Sequence, residues 1–398
     1  MKKTLAFIMM LAVLFSLAAC GTEDGGSAAS PTPDSPTTTT NAPADEGLPV
    51  TGAKSSHLDS GTDPLQIAFI IYSWSDDQGI YIQECAEHLE ENFNVKFEYI
   101  SANNTAEETI SAVESLCSKG VDGIITANTK GFQSWASICE ENGVWYSIML
   151  GCLEDADDQE FAATCKYFLG SLGNLDYSFL GEAYAEFTID QGYESILVAA
   201  PSRGMQTQAD QMVAAYEAAL DAAGISYSET RSSFGELFTS VAAELAANTY
   251  DVIYCPLSMM NFAVSNVYAN DLVGTTQVMG HGLSEDLEDA RSAGVVSMFS
   301  DNFTSGIGVN FALVANAIEG NHYADWPQDT YVNITSPCFI IRDEAEYELY
   351  SAKVRNYDES PILCNADMVK QLIASYNADA SYAAVKDYVE GISLDTLQ

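Results

Sequence analysis

Short apolar runs and amphipathic helical patterns alternate along most of the chain. Between residues 67 and 150 the runs are rich in β-branched and aromatic residues, and the segments between them carry apolar residues at helical spacing. The runs lie at 67–72, 95–100, 123–127 and 144–150, and the helical segments at 77–92, 105–119 and 131–142. Apolar runs that alternate with helices predict a parallel sheet covered by helices on both faces. We therefore expect a doubly wound α/β lobe here.

A second series of the same kind follows. Its predicted strands lie at 195–200, 226–230, 252–255, 277–279 and 295–299, and its predicted helices at 177–190, 207–223, 238–247, 260–270 and 285–293. Between the two series we expect a strand at 160–168 and a glycine-rich turn at 170–173. After them we expect a helix at 306–319 and strands at 331–335 and 338–341. Two α/β series in succession indicate two lobes.

The order of these segments resembles the type I periplasmic binding protein fold, especially the ribose- and galactose-type solute-binding proteins of ABC transporters. The resemblance extends over about residues 65–341. Its segments are LQIAFIIYSWSD, SKGVDGIITA, ENGVWYSIML, YEAALDAAGI, DVIYCP, QVMGHG and GVVSMFSDNFTSGIG, in that order. It implies an α/β protein of two doubly wound parallel-sheet lobes, joined by a three-crossing hinge and closing over a ligand by hinge bending.

The resemblance also implies the domain boundaries. We place the crossings near Gly170, near Ser300 to Asn302 and near Thr335. The first lobe then comprises residues 64–169 plus 303–333, and the second comprises 171–300 plus 336–398. The 57 residues after Ile341 contain helical patterns at 367–376 and 382–391. We expect them to form an added helical cap or strap on the second lobe, with docking of a partner as an alternative role.

The N-terminus has the pattern of an export signal. In residues 1–19, two lysines precede an apolar stretch shorter than the roughly 20 residues of a membrane span. The residues from Leu17 to Cys20 resemble a bacterial lipobox, which implies diacylglyceryl modification of the Cys20 thiol. The alternative is an ordinary signal peptide with a chance cysteine. Residues 20–63 are predicted to be a disordered tether with a reach of roughly 35 Å. These features predict an extracytoplasmic protein anchored to the outer face of the membrane.

Composition narrows the function further. The 398 residues are 47% hydrophobic, enough for two domains with their own cores. Fifteen basic and 57 acidic residues give a net charge of -42, which argues against binding of nucleic acid or anionic lipid. The eight cysteines after Cys20 form no CxxC pair, and the four histidines are scattered, so neither a metal nor a cofactor is expected. The sequence does not decide whether Cys152 and Cys165 form a disulfide. No GxSxG, HExxH or P-loop motif occurs, so we expect a non-enzyme.

Candidate ligand contacts follow the predicted strands, because ligands of such lobes collect outside the carboxyl ends of the strands. The aromatic and polar candidates are Tyr72, Trp74, Asp76, Asp77, Asn128, Arg203, Gln206, Ser258, His281, Ser300 and Asp301. Several have structural alternatives. Asp76, Asp77 and Asp301 could instead cap the helix that follows each of them. Arg203 could instead lie on the surface. A lone histidine such as His281 is typical of a structural residue held by hydrogen bonds.

The site departs from the family pattern. The family's sugar-gripping arginine is absent from residues 208–212, and its Gly-Phe-Asp is replaced by Gly-His-Gly at 280–282. Gln78 and Gly79 stand in place of its stacking phenylalanine pair. We therefore expect a small polar ligand, either a sugar or sugar derivative, or a nucleoside, since the loops offer aromatic residues. The expected partner is an ABC permease, or a membrane receptor if the protein is a ligand sensor. We expect a monomer.

Overall fold

The computed structural model describes residues 57–58, 63–75, 77–282, 285–302 and 306–398. The predicted signal peptide, Cys20 and nearly all of the predicted tether lie outside these residues. Within them, no helix has the length and apolar character needed to span a bilayer. No disulfide joins the eight cysteines of the described part.

The first lobe is built on a six-stranded parallel sheet. Its strands are β1 (Leu65–Ile71), β2 (Val95–Ser101), β3 (Gly123–Thr126), β4 (Trp145–Met149), β5 (Phe168–Asn174) and β11 (Asn333–Thr335), in the order β11-β5-β4-β3-β1-β2. Its helices are α1 (Asp77–Asn92), α2 (Ala106–Lys119), α3 (Phe132–Asn142), α4 (Ala156–Ala162) and α10 (Ile307–Ile318). Phe69 of β1 packs into one core and its neighbour Ile70 into the core on the other face. Burial on both faces explains why β1 is apolar from Ile67 to Ile71, after the exposed Gln66.

The second lobe repeats this plan. Its strands are β6 (Ile196–Pro201), β7 (Ser228–Ser232), β8 (Val252–Cys255), β9 (Gln277–His281), β10 (Val296–Asp301) and β12 (Phe339–Ile341), in the order β12-β10-β9-β8-β6-β7. Only β12 is antiparallel to its neighbour in this sheet. Its helices are α5 (Tyr177–Gln191), α6 (Thr207–Ala223), α7 (Phe234–Ala247), α8 (Met260–Ala269), α9 (Glu285–Ser292) and α11 (Glu344–Lys353). The predicted fold class, two doubly wound α/β lobes, is confirmed.

The end of the first series differs from the prediction. Residues 156–162 form α4, capped by the Asp155 side chain, and the predicted strand at 160–168 is wrong. Gly170 and Gly173 lie inside β5 rather than in a turn, so the passage to the second lobe follows Asn174 and not Gly170. Gly173 is a glycine because a Cβ there would come within 2.1 Å of the Gly151 nitrogen. A close approach between β5 and the loop after β4, not a turn, requires it.

The C-terminal segment also differs, because it packs on both lobes. Helix α11 contacts β12 of the second lobe, but α12 (Ala366–Leu372) contacts α10 and α13 (Tyr382–Glu390) contacts β11, both of the first lobe. The final 3₁₀ turn, Leu394–Leu397, returns to the second lobe, where Leu394 joins the core. The prediction of a cap on the second lobe alone is therefore wrong.

Helix α10 supplies the physical reason for this placement. All residues from Ile307 to Ala317 are buried, so the helix is covered around its whole circumference. A helix that is apolar all round needs partners on every side. The sheet covers one side and α12 covers another.

The described chain passes between the lobes five times: after β5, β10, β11, α11 and α13.

A matched pair of glycines tests the contact between α10 and the C-terminal segment. Gly308 is the second residue of α10, and a Cβ there would lie 2.2 Å from the Leu363 carbonyl oxygen. We expect Gly308→Ala to lower the free energy of unfolding by about 1–3 kcal/mol, as overpacking does. Gly235 is the second residue of α7 and has open space around it.

Gly235→Ala should therefore leave stability unchanged or raise it by up to about 1 kcal/mol. Urea unfolding of both variants makes the comparison. Equal stability of the two variants would contradict the tight packing at Gly308.

Candidate functional site

A cavity of about 230 Å³ lies between the lobes, and both lobes line it. We call it the cleft cavity. Its lining residues all follow the carboxyl ends of strands or begin the next helix, and they are Gln78, Leu150, Tyr177, Gln206, Phe234, Leu257, Ser258, Met259, His281 and Asn302. This is where a doubly wound fold places a ligand. Among these described residues there is no Asp, Glu, Lys or Arg, so the wall combines uncharged polar groups with apolar ones.

A larger cavity of about 920 Å³, the outer cleft, adjoins the first. The two share Leu150, Tyr177 and Gln206. Charged side chains do line the outer cleft, among them Lys130 and Glu154. The Gln208 Nε2 of the second lobe donates to Glu154 Oε1 of the first at 2.6 Å. A direct hydrogen bond therefore joins the two lobes beside the outer cleft.

Two leucines in the cleft cavity have left-handed backbone conformations. Leu150 follows β4 with φ 60°, and Leu257 follows β8 with φ 51°. This conformation costs an L-residue with a branched side chain about 1–2 kcal/mol. Such strain persists only where the surrounding structure enforces it, and it concentrates at ligand sites. One strained leucine from each lobe in the same wall supports the cavity as the functional site.

His281 is the centre of a buried hydrogen-bond network. Its side chain ends β9 and is 3% exposed. Nδ1 lies 2.8 Å from Ser300 Oγ, and Nε2 lies 2.9 Å from Asn302 Oδ1. The Ser300 hydroxyl also lies 2.7 Å from the Tyr184 hydroxyl, which donates to the Gly280 carbonyl. The network ties β9, β10 and α5 together behind the cavity wall.

Burial lowers the pKa of His281 from its usual 6.5, although the Asp301 charge and the Asn302 hydrogen bond act in the opposite direction. The neutral ring is therefore the stable form at pH 7. Because an amide oxygen only accepts, Nε2–H donates to Asn302 Oδ1, and Nδ1 accepts from Ser300. The Asn302 amino group is not used in this bond, and Asn302 lines the cleft cavity.

Two residues that line the clefts carry a buried acceptor without a hydrogen bond from the described residues. They are Gln206, whose Oε1 is buried, and Asn333, whose Oδ1 is buried. A buried acceptor without a partner costs about 1–3 kcal/mol.

Of the sequence-predicted contacts, Gln206, Ser258 and His281 line the cleft cavity. Ser300 lies one layer behind, bonded to His281. Asp301 lines neither cavity: its carboxylate accepts from the Tyr350 hydroxyl and lies 3.8 Å from Arg355 Nη1.

Four other predicted contacts line neither cavity: Tyr72, Trp74, Asn128 and Arg203. Tyr72 is 52% exposed, and Trp74 packs edge-on against Tyr99 with ring centres 4.9 Å apart. Asn128 is buried and donates to the Ala102 carbonyl at 3.1 Å. Arg203 is exposed and pairs with Glu229 at 3.1 Å, because β7 brings that carboxylate beside it. Asp76 lies outside the described residues, and Asp77 is the first residue of α1.

The prediction missed several lining residues for an identifiable reason. Gln78, Tyr177 and Phe234 lie in the first turns of α1, α5 and α7, the helices that follow β1, β5 and β7. The rule that ligands collect at strand ends applies to these first turns too, so it had the signal to find them. No sequence signal identified Leu257, whose importance comes from its backbone conformation. Within the described residues, no group of His, Cys, Asp and Glu is placed to hold a metal ion.

Comparison with known proteins supports the fold. No family model and no curated protein matches the chain. A periplasmic ribose ABC transporter structure from Conexibacter woesei DSM 14684 is 15% identical over 76% of this chain and 100% of its own, with a TM-score of 0.57. A solute-binding protein of Actinobacillus succinogenes 130z with bound D-allose is 18% identical over 71% and 99%, with a TM-score of 0.55.

A third neighbour is a twin-arginine translocation pathway signal protein from Burkholderia phytofirmans. It is 13% identical over 74% of this chain and 95% of its own, with a TM-score of 0.61. At these identities the likeness concerns the fold. The chain has the type I periplasmic binding protein fold, which confirms the resemblance inferred from the sequence segments.

The lowered pKa of His281 predicts a pH dependence of stability. The unfolded chain binds this proton more tightly than the folded one, so the stability contributed by neutral His281 is present above pH 6.5 and is lost as the pH falls below it. Urea unfolding between pH 8 and pH 5 should show a steeper loss for the wild type than for His281→Gln. Both proteins share all other titrating groups. Parallel curves would show that burial does not disfavour the charged ring.

Proposed function

We propose that this protein is an extracytoplasmic solute-binding protein. It captures a small, uncharged polar ligand, a sugar or sugar derivative, in the cleft cavity and delivers it to an ABC permease. The observation that carries this proposal is the cavity itself, with walls from both lobes and polar groups without charge among its described lining. Its volume is below the roughly 300–1,000 Å³ of pockets for drug-sized ligands, which favours a ligand of monosaccharide size.

The chemistry of the wall suits a sugar. Sugar hydroxyls both donate and accept, as do the side chains of Gln206, Ser258 and Asn302. Phe234 and Tyr177 offer aromatic surface to the C–H groups of a sugar ring. Two solved neighbours are named for ribose transport and for bound D-allose, which supports the same class of ligand.

A nucleoside is the second candidate, and the amide side chains favour it. Gln78, Gln206 and Asn302 line the cavity, and amides of this kind pair with the donor and acceptor edge of a base. The aromatic residues Tyr177 and Phe234 would stack on a base equally well. A sugar and a nucleoside thus compete for the same wall, and direct binding distinguishes them.

The proposed cellular setting follows from the N-terminus. Lipid on Cys20 would hold the protein at the outer face of the membrane, and the tether would let the lobes reach a membrane partner as a monomer. That partner is a permease in the transport proposal and a receptor in the sensor proposal. Genes for a permease and an ATPase beside this one would favour transport, whereas a sensor kinase gene would favour signalling. We expect no catalytic turnover of the ligand.

A thermal-shift panel tests the ligand proposal. Native mass spectrometry of the purified protein first identifies any ligand that is retained. Monosaccharides, disaccharides and nucleosides are then added singly. A ligand at 100 times its Kd stabilises the folded state by about 2.7 kcal/mol, so a true ligand raises Tm in a concentration-dependent way. Absence of any shift in all three classes would refute both candidates.

Variants of two glutamines locate the site once a ligand is identified. Gln206→Leu removes the amide group of a residue that lines the cavity, and we expect calorimetry to show affinity at least about tenfold lower. Gln371→Leu changes the same side chain on the exposed face of α12 and is the matched control. Equal affinities in the two variants would place the ligand elsewhere.

Cys20→Ser tests the anchor. Without the thiol no diacylglyceryl group is attached, so the protein should move from the membrane fraction to the soluble extracytoplasmic fraction. Cys152→Ser, which changes a cysteine inside the folded part, should leave the protein in the membrane fraction. Retention of Cys20→Ser in the membrane fraction would contradict lipid anchoring.

A further inference from the structure

One arginine contacts both lobes beneath the cleft cavity. The guanidinium carbon of Arg355, just after α11, lies 3.5 Å from the centre of the Tyr81 ring in α1 of the first lobe. Its Nη1 lies 3.8 Å from Asp301 Oδ2, at the end of β10 in the second lobe. The side chain of Arg355 is 12% exposed and that of Asp301 is 3% exposed. The contact is therefore largely shielded from water.

Both partners of Arg355 belong to elements that carry a wall of the cavity. Tyr81 lies one helical turn after Gln78, which lines the cleft cavity. Asp301 precedes Asn302, which also lines it and which His281 holds by a hydrogen bond. The guanidinium thus contacts two residues, one in each lobe, that are close in sequence to the wall residues Gln78 and Asn302.

The segment around Arg355 is itself held on both lobes. Before it, the Tyr350 hydroxyl donates to Asp301. After it, the Tyr357 hydroxyl donates to Glu84 of α1, and the Gly308 nitrogen donates to the Ile362 carbonyl at 3.3 Å. Arg355 therefore lies where the main chain itself crosses from the second lobe to the first. Its position is fixed by the backbone on both sides, and not only by a long side chain extended from one lobe.

We propose that Arg355 is a positioning residue for ligand binding, which fixes the spacing of the two cavity walls through Tyr81 and Asp301. Arginine suits this role because a planar guanidinium stacks on a ring with its face while its edge meets a carboxylate. Lysine has no such planar face. The effect on affinity rests on the proposed function, but the effect on the spacing of the lobes does not.

The test separates the contact between lobes from ordinary stabilisation. Tyr81→Leu removes the stacked ring and leaves the pair of Arg355 with Asp301 intact. Tyr347→Leu is the matched control, because Arg291 stacks on Tyr347 at 3.4 Å entirely within the second lobe. Fluorescent amino acids at the exposed residues Ser115 and Ala222 report the distance between the lobes by single-molecule energy transfer.

In the ligand-free protein, we expect Tyr81→Leu to broaden the distribution of distances between the lobes, and Tyr347→Leu to leave it as in the wild type. With a ligand identified, Tyr81→Leu should bind about fivefold more weakly, which corresponds to about 1 kcal/mol. Tyr347→Leu should lower Tm without changing affinity. Arg355→Lys should resemble Tyr81→Leu, because lysine keeps the positive charge but has no planar guanidinium to stack on the Tyr81 ring.

Two results would overturn the proposal. One is a wild-type distance distribution in Tyr81→Leu, and the other is an equal loss of affinity in Tyr347→Leu. If no ligand in the panel binds, the proposed function fails, and the ligand-free distance measurement still decides the role of Arg355.

Discussion

The cleft between the lobes depends on one constraint, which is that the parallel strands of both sheets end toward the same space. The backbone hydrogen bonds of each sheet hold the strand ends, so the residues just after them are placed by the sheet and not by the loops alone. Leu150 and Leu257 keep their unfavourable backbone conformations because rigid strands precede them. His281, at the last position of β9, is held by Ser300 and Asn302 at the end of the neighbouring β10.

The packing of α10 explains why the lobes are joined more extensively than a three-crossing hinge implies. Its residues are buried on all sides, and the sheet of the first lobe covers only part of them. The C-terminal segment supplies the missing layer with α12 and then returns to the second lobe at Leu394. The segments between α11 and α12 and after α13 therefore join the lobes in addition to the three crossings that the resemblance implied.

Part of the site could be predicted from strand ends alone, as Gln206, Ser258 and His281 show. Trp74, Arg203 and Asp301 also lie at or near strand ends, but their side chains do not line the cleft cavity. Each of them contacts a residue of another element instead. Trp74 meets Tyr99 of β2, Arg203 meets Glu229 of β7, and Asp301 meets Tyr350 about fifty residues later. The position of a residue at a strand end predicts where its Cα lies. The contacts with residues of other elements decide the direction of its side chain.

The sequence by itself determined the two α/β lobes, because a strand buried on both faces and an amphipathic helix each leave a local period in the order of residues. It also indicated the edge of the sheets where the cleft lies. Only the tertiary structure decided that β5 runs through Gly170 and Gly173, that α12 and α13 belong to the first lobe, and which polar residues face the cavity. These depend on contacts between residues distant in sequence, such as Gly173 with Gly151 and Arg355 with Tyr81. A local pattern reports how buried a residue is, but not which distant surface buries it.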